Sequence, residues 1–220
     1  MQFSDVEQRL ERHRLVPVMA IHDEGHAEPL AETLLAGGLP IAEITFRTSA
    51  AEACLRRMSK YDDLLVGAGT VTTVNQVGQA VQAGARFLVS PGFAPQIVQA
   101  AQAEGVPIYP GVCTPSEVMQ ASLLGLETLK FFPAGSSGGP KSLRALAPVF
   151  PNIRFIPTGG VSAENLKEYL SLPNVLACGG SWMVKTNLFQ DGNFEPVLTA
   201  IREAVQLANQ ATNSNFEKSK

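Results

Sequence analysis

The 220-residue sequence is short of several things, and each shortage excludes a class of protein. It has three cysteines, Cys54, Cys113 and Cys178, an odd number spread far apart with no CxxC or zinc-like spacing. That excludes a disulfide framework and suits a metal-free protein in a reducing cytoplasm. Long apolar runs are missing, and none approaches the ~20 residues that a membrane-spanning helix needs. The first residues, Met1 to Glu7, have neither the basic region nor the apolar core of a signal peptide, so a cytoplasmic location without a membrane partner is expected. Basic runs are also lacking. With a net charge of −3 and a pI near 5.7, nucleic acid is not the expected partner. A small anionic substrate remains compatible, provided local groups capture it. No GxGxxG follows the first apolar run, which disfavours a dinucleotide-binding open sheet.

What the chain does have is a repeating alternation. Hydrophobic residues make up 45% of it, enough for one substantial core. After a polar helical stretch from Asp5 to Arg14 comes the apolar run Leu15 to Ile21, which reads as a strand buried on both faces. Further strand-like runs follow at Ile41 to Arg47, Leu64 to Ala68, Arg86 to Ser90, Pro107 to Tyr109, Leu126 to Phe132, Arg154 to Pro157 and Asn174 to Cys178. Helical segments lie between them, several closed by glycine, as at Gly84, Gly105 and Gly125. Eight strand–helix units at a spacing of roughly 20 to 27 residues predict a single (β/α)8 TIM barrel with a short N-terminal helix. It is expected to span residues 1–208, with a polar, frayed tail at 209–220.

In such a barrel the chemistry sits at the carboxyl ends of the strands. Polar residues and glycines concentrate there, and Lys130 is the most unusual. It stands near the end of an apolar, aromatic strand that Pro133 terminates. Burial disfavours the charged form of an ammonium, and a neutral amine attacks ketones to form Schiff bases. A strand lysine that snorkels to solvent or meets a carboxylate fits the same position. On the second strand, period-two alternation sends Glu43, Thr45 and Arg47 to one face and Ile44 and Phe46 to the other. A carboxylate can shuttle protons and a guanidinium can grip a carboxylate, though a buried structural ion pair would use the same residues. Glycine pairs follow strands seven and eight, at Gly159-Gly160 and Gly179-Gly180 before Ser181. Backbone amides bind phosphate at those two positions in this fold. The remaining candidates read as structural. His22 closes the first strand, Cys113 and Cys178 have no histidine partner, and Trp182 suits packing behind the phosphate loop.

Six ordered segments carry a resemblance. Ala42-Glu43-Ile44-Thr45-Phe46-Arg47-Thr48, Val66-Gly67-Ala68-Gly69-Thr70-Val71 and Ser90-Pro91-Gly92 are the first three. Leu129-Lys130-Phe131-Phe132-Pro133-Ala134, Pro157-Thr158-Gly159-Gly160 and Gly179-Gly180-Ser181-Trp182 complete the set. Together, from about Leu15 to Ala208, they resemble the 2-keto-3-deoxy-6-phosphogluconate (KDPG) aldolases, which overlap the 4-hydroxy-2-oxoglutarate (KHG) aldolases. The resemblance implies a class I lyase, homotrimeric and free of metal and cofactor, acting on a phosphorylated 2-keto acid. It implies Lys130 as Schiff-base nucleophile and Glu43 as proton shuttle. Arg47 and Thr70 would bind the pyruvyl carboxylate and nearby oxygens, Pro91 and Phe132 would wall that pocket, and Thr158 would contact sugar-derived hydroxyls. Gly159, Gly160, Gly180 and Ser181 would hold the phosphate. Thr158 is similar to the gluconate-type enzymes, whereas galactonate-type relatives tend to be apolar there. Gly135 departs from the many relatives with an acidic residue at that place. The alternatives are a galactonate-type aldolase, a phosphosugar isomerase or epimerase, which would not need Lys130, and a non-catalytic phosphosugar-binding barrel, which would form no imine.

Overall fold

The computed structural model describes residues 3–189 and 191–217. Eight parallel strands form one sheet, in the order β7-β6-β5-β4-β3-β2-β1-β8. They are β1 (Leu15–Met19), β2 (Ile41–Thr45), β3 (Leu65–Gly69), β4 (Phe87–Ser90), β5 (Ile108–Val112), β6 (Thr128–Phe131), β7 (Arg154–Pro157) and β8 (Cys178–Gly180). Bridges Phe155–Val175 and Thr158–Gly179 join β7 to the last strand and close the ring. Helix α1 (Phe3–His13) precedes β1, and α2 (Ala27–Ala36), α3 (Ala51–Met58), α4 (Val74–Gln82), α5 (Pro95–Ala103), α6 (Pro115–Leu123), α7 (Gly139–Leu146), α8 (Leu166–Leu170) and α9 (Glu195–Glu217) follow the strands in turn. This is the predicted (β/α)8 barrel.

Alternation along the strands divides the core in two. Outward residues such as Ile44, Ala68, Leu88, Leu129 and Phe131 pack beneath the helices. Inward residues Val16, Ile41, Leu65, Phe87, Val89, Tyr109 and Ile156 fill the barrel, and Val6 and Leu10 of α1 join them from below. Helix α1 therefore plugs the amino-terminal end. Ion pairs from Asp5 to Arg86 and from Glu7 to Arg154 fasten it there. The carboxyl-terminal end stays open, and polar side chains collect at that end.

Two boundaries differ from the sequence reading. The last strand was expected over Asn174 to Cys178, yet its ladder with β1 covers Cys178–Gly180, beginning at Leu15↔Cys178. The residues before it run beside β7 instead, with Leu176 N–H donating to Phe155 O at 2.9 Å. One extended stretch thus seals the barrel by pairing with different neighbours at its two ends. The second difference concerns the tail. Helix α9 continues to Glu217, so residues 209–217 are helical, and residues 218–220 lie outside the described residues. Packing carries the helix at least to Ala211, which joins the buried stripe Val197, Ile201, Ala204, Ala208 at 2% exposure.

Candidate active site

Strand β6 places Lys130 inside the barrel, because its neighbours Leu129 and Phe131 face the helices. The lysine residue is 5% exposed and Glu43 2%. They are the only buried Asp, Glu, Lys, Arg or His among the described residues. Lys130 Nζ lies 3.7 Å from Glu43 Oε1, and 5.0 Å from the centroid of the Phe132 ring. The separation from Glu43 exceeds a hydrogen bond, and Oε1 has no hydrogen-bond partner. Charge is matched, but neither group is locked to the other. The carboxylate keeps acceptor capacity for an incoming hydroxyl or water.

Neighbouring strands make room for these two side chains by carrying none of their own. A Cβ on Gly69 would stand 2.1 Å from Glu43 Oε1, and one on Gly67 2.4 Å from the Phe87 ring. A Cβ on Gly111 would stand 2.1 Å from the Pro91 carbonyl oxygen, so this bare position on β5 lets the Pro91 loop fold over the site. Thr70, immediately after β3, holds a left-handed backbone at φ 57°, which costs a non-glycine residue about 1 kcal/mol or more. The bonds Phe46 N–H to Gly69 O and Val71 N–H to Val89 O pin the chain on both sides of it.

At the mouth, Arg47 is exposed. Its Nε donates to Thr45 Oγ1 at 3.1 Å, and the buried Thr45 hydroxyl donates in turn to Met19 O at 2.7 Å. With Nε engaged, the two terminal nitrogens of the guanidinium are left for a ligand. Opposite lies the turn after β7. Its carbonyls are all turned away and occupied: Thr158 O accepts from Ala134 N–H, Gly159 O from Gly135 N–H and Gly160 O from Asn165 Nδ2, each at 2.8 Å. Gly159 and Gly160 take φ values of 85° and 86°, a conformation that successive glycines adopt without strain. The amides of Gly160 and Val161, and that of Ser181 across the cavity, donate to nothing among the described residues. Successive unsatisfied amides of this kind form an anion-binding concavity.

All these groups border one cavity of about 240 Å³. Every residue singled out from the sequence lines it: Glu43, Arg47, Thr70, Pro91, Lys130, Phe132, Thr158, Gly159, Gly160, Gly180 and Ser181. Val18, Thr45 and Val161 also line it and were not singled out as site residues. Alternation along β2 had already put Thr45 on the face of Glu43 and Arg47, and the same alternation along β1 could have supplied Val18. Trp182 packs where a Gly180 side chain would be, 1.8 Å from that virtual Cβ, which is the backing role expected. His22 is exposed and outside the lining. Burial pushes the Cys113 thiol up, with Glu117 adding to the effect, so it is no activated nucleophile.

The site defines the class. A parallel barrel whose cavity converges on a buried amine, with a carboxylate beside it and anion-holding groups on opposite walls, is built like an imine-forming lyase acting on an oxo acid. Comparison with known proteins gives the same class. The chain belongs to the KDPG and KHG aldolase family, whose model matches residues 6–200. A 2-dehydro-3-deoxy-phosphogluconate aldolase of Treponema pallidum is 45% identical over 199 residues, covering 90% of this chain and 95% of that protein. The KHG/KDPG aldolase of Escherichia coli (strain K12) is 40% identical over 193 residues, covering 87% and 91%. Among solved structures, the KDPG aldolase of Legionella pneumophila, with pyruvate captured at low pH as a covalent carbinolamine intermediate, matches with a TM-score of 0.87 and 39% identity over 90% of this chain and 97% of that one.

Proposed function

We propose that this protein is a class I aldolase cleaving 2-keto-3-deoxy-6-phosphogluconate to pyruvate and glyceraldehyde 3-phosphate, and 4-hydroxy-2-oxoglutarate to pyruvate and glyoxylate. The observation that carries the reading is the isolated Lys130–Glu43 pair, 3.7 Å apart at the base of the cavity. Arg47 grips the substrate carboxylate and Thr70 contacts the adjoining oxygens, while Pro91 and Phe132 wall the pyruvyl carbons. Lys130 Nζ attacks the C2 ketone, and loss of water gives a protonated imine that accepts electrons. Glu43, directly or through a water, takes the proton of the C4 hydroxyl. The C3–C4 pair then flows into the imine, releasing the aldehyde and leaving an enamine. Protonation at C3 and addition of water return pyruvate and the free amine. Thr158 meets the hydroxyls beyond C4, and Gly159, Gly160, Gly180 and Ser181 hold the phosphate. The pyruvate carbinolamine of the Legionella pneumophila relative supports the first step.

No helix among the described residues is long and apolar enough to cross a membrane. A homotrimer working in the cytoplasm accords with the resemblance, and sedimentation analysis tests the assembly. For the chemistry, the protein is incubated with pyruvate and borohydride and the adduct is located by peptide mass spectrometry. A reduced pyruvyl group on Lys130 is the expected result. A folded sample that forms no adduct, or a folded Lys130→Ala variant that still cleaves substrate, removes the lysine from the mechanism.

A further inference from the structure

We propose that Asn165 is the positioning residue that sets the phosphate-binding turn, and through it the preference for phosphorylated over unphosphorylated substrate. The inference rests on the phosphate reading given above. Asn165 lies at the start of α8, outside the cavity lining, and its side chain closes a small ring. Its Oδ1 accepts from Ser162 N–H at 2.9 Å and its Nδ2 donates to Gly160 O at 2.8 Å. The amide side chain thus spans the residues on both sides of Val161. It takes up the Ser162 amide and holds the Gly160 carbonyl, which fixes the plane of the Gly160–Val161 peptide and with it the Val161 N–H, a donor without an acceptor among the described residues. The inner part of the turn is tied by backbone bonds from Ala134 and Gly135, which no side-chain exchange removes. At the outer end the Gly160 carbonyl is held by the Asn165 side chain, and Gly160, at a φ of 86°, can rotate without strain once that bond is lost. A peptide flip there would replace an N–H by a carbonyl oxygen facing the phosphate.

Steady-state constants for KDPG and for its unphosphorylated analogue, 2-keto-3-deoxygluconate, test this in the wild type and in Asn165→Leu, which matches the volume but neither donates nor accepts. The KM for KDPG is expected to rise about tenfold, the scale of one lost hydrogen bond. The KM for the unphosphorylated analogue, and imine trapping with pyruvate, should stay at wild-type values. Equal shifts for both substrates would mean that Asn165 only supports the fold and would overturn the proposal, as would no shift for either. A wild type without preference for the phosphorylated substrate would instead remove the phosphate reading itself, and the role of Asn165 with it. Should Asn165→Leu fail to fold, Asn165→Ser, which retains a short acceptor for Ser162 N–H but cannot reach Gly160 O, carries the same comparison.

Discussion

Replacing Gly69 by alanine adds one methyl group and should disable the proton shuttle while sparing the nucleophile. The new Cβ would stand 2.1 Å from Glu43 Oε1, 2.7 Å from Cγ and 2.8 Å from Cδ, whereas ordinary contact begins at 3.4 Å. Strand β3 cannot yield easily, since five of its residues pair with β2 across the whole ladder. The carboxylate must therefore withdraw by roughly 1 Å, a displacement that costs on the order of 10²-fold when it falls on a group in the reaction. Overpacking should also lower stability by about 1–3 kcal/mol, or a few degrees in Tm for a chain of this size. Cleavage of KDPG at saturation, exchange of the pyruvate C3 hydrogens with deuterated water, and borohydride trapping separate the effects. Cleavage and exchange are expected to fall about a hundredfold, with trapping retained. Gly67→Ala is the control: its Cβ meets the Phe87 ring at 2.4 Å and not the carboxylate. It should lose stability but keep the turnover of its folded fraction. A Gly69→Ala enzyme with wild-type kcat and exchange would refute the claim that this glycine seats Glu43.

Three further outcomes follow from the same geometry. Glu43→Gln keeps the shape and the space but cannot carry a proton, so trapping on Lys130 should persist while kcat drops about 10²–10⁴-fold; a rate near wild type would place the shuttle on another group. Arg47→Lys keeps the charge but loses both the fork of terminal donors and the Nε bond to Thr45, so the KM for pyruvate in the exchange assay should rise about tenfold or more with little change in trapping at saturation. Burial pushes the Cys54 thiol up to about 11 from 9.0, with Glu24 adding to the shift. Because the folded state holds that proton more tightly than the unfolded state, stability is fully present below pH 9 and is lost as pH rises from 9 to 11. Urea unfolding across that window should show a decline that Cys54→Val makes shallower, and an unchanged decline would show that this thiol takes no part.

Much of this was readable because the barrel imposes two periodicities on one chain. Glu43, Thr45 and Arg47 fall on one face of β2 by simple alternation, and the structure puts all three on the cavity. Lys130 was conspicuous as a charge between Leu129 and Phe131, both wholly buried against helices. The glycine pair after β7 marked a turn, whereas Gly179 and Gly180 belong to β8 itself, and which amides face the cavity depends on where the carbonyls bond. Those acceptors are met by Ala134, Gly135 and Asn165, distant in sequence or outside the recognised motifs. The same limit explains the end of α9. Ala211 is a small residue in a polar stretch, and only packing against the barrel shows that it extends the apolar stripe.

The arrangement of the barrel interior bears on how the lysine works. Below Lys130 the space is filled by Phe87, Val89, Tyr109, Ile156 and the plug residue Leu10, and the void bounded by these residues and the Lys130–Glu43 pair is only about 10 Å³. A space of that size holds at most one water, so protons do not readily arrive from the amino-terminal end. Above Lys130 lie the cavity and the exposed Arg47, whose place in the proposed cycle is to grip a carboxylate. Glu43 is left as the one buried carboxylate among the described residues able to trade a proton with the amine, the departing water or the substrate hydroxyl. In the proposed cycle each step moves a proton near this group, and a single carboxylate would serve as acid and base in alternation. That assignment predicts loss of both half-reactions together: Glu43→Gln should slow pyruvate C3 exchange and KDPG cleavage by similar factors. A variant slow in cleavage but normal in exchange would require a second proton carrier for the exchange step.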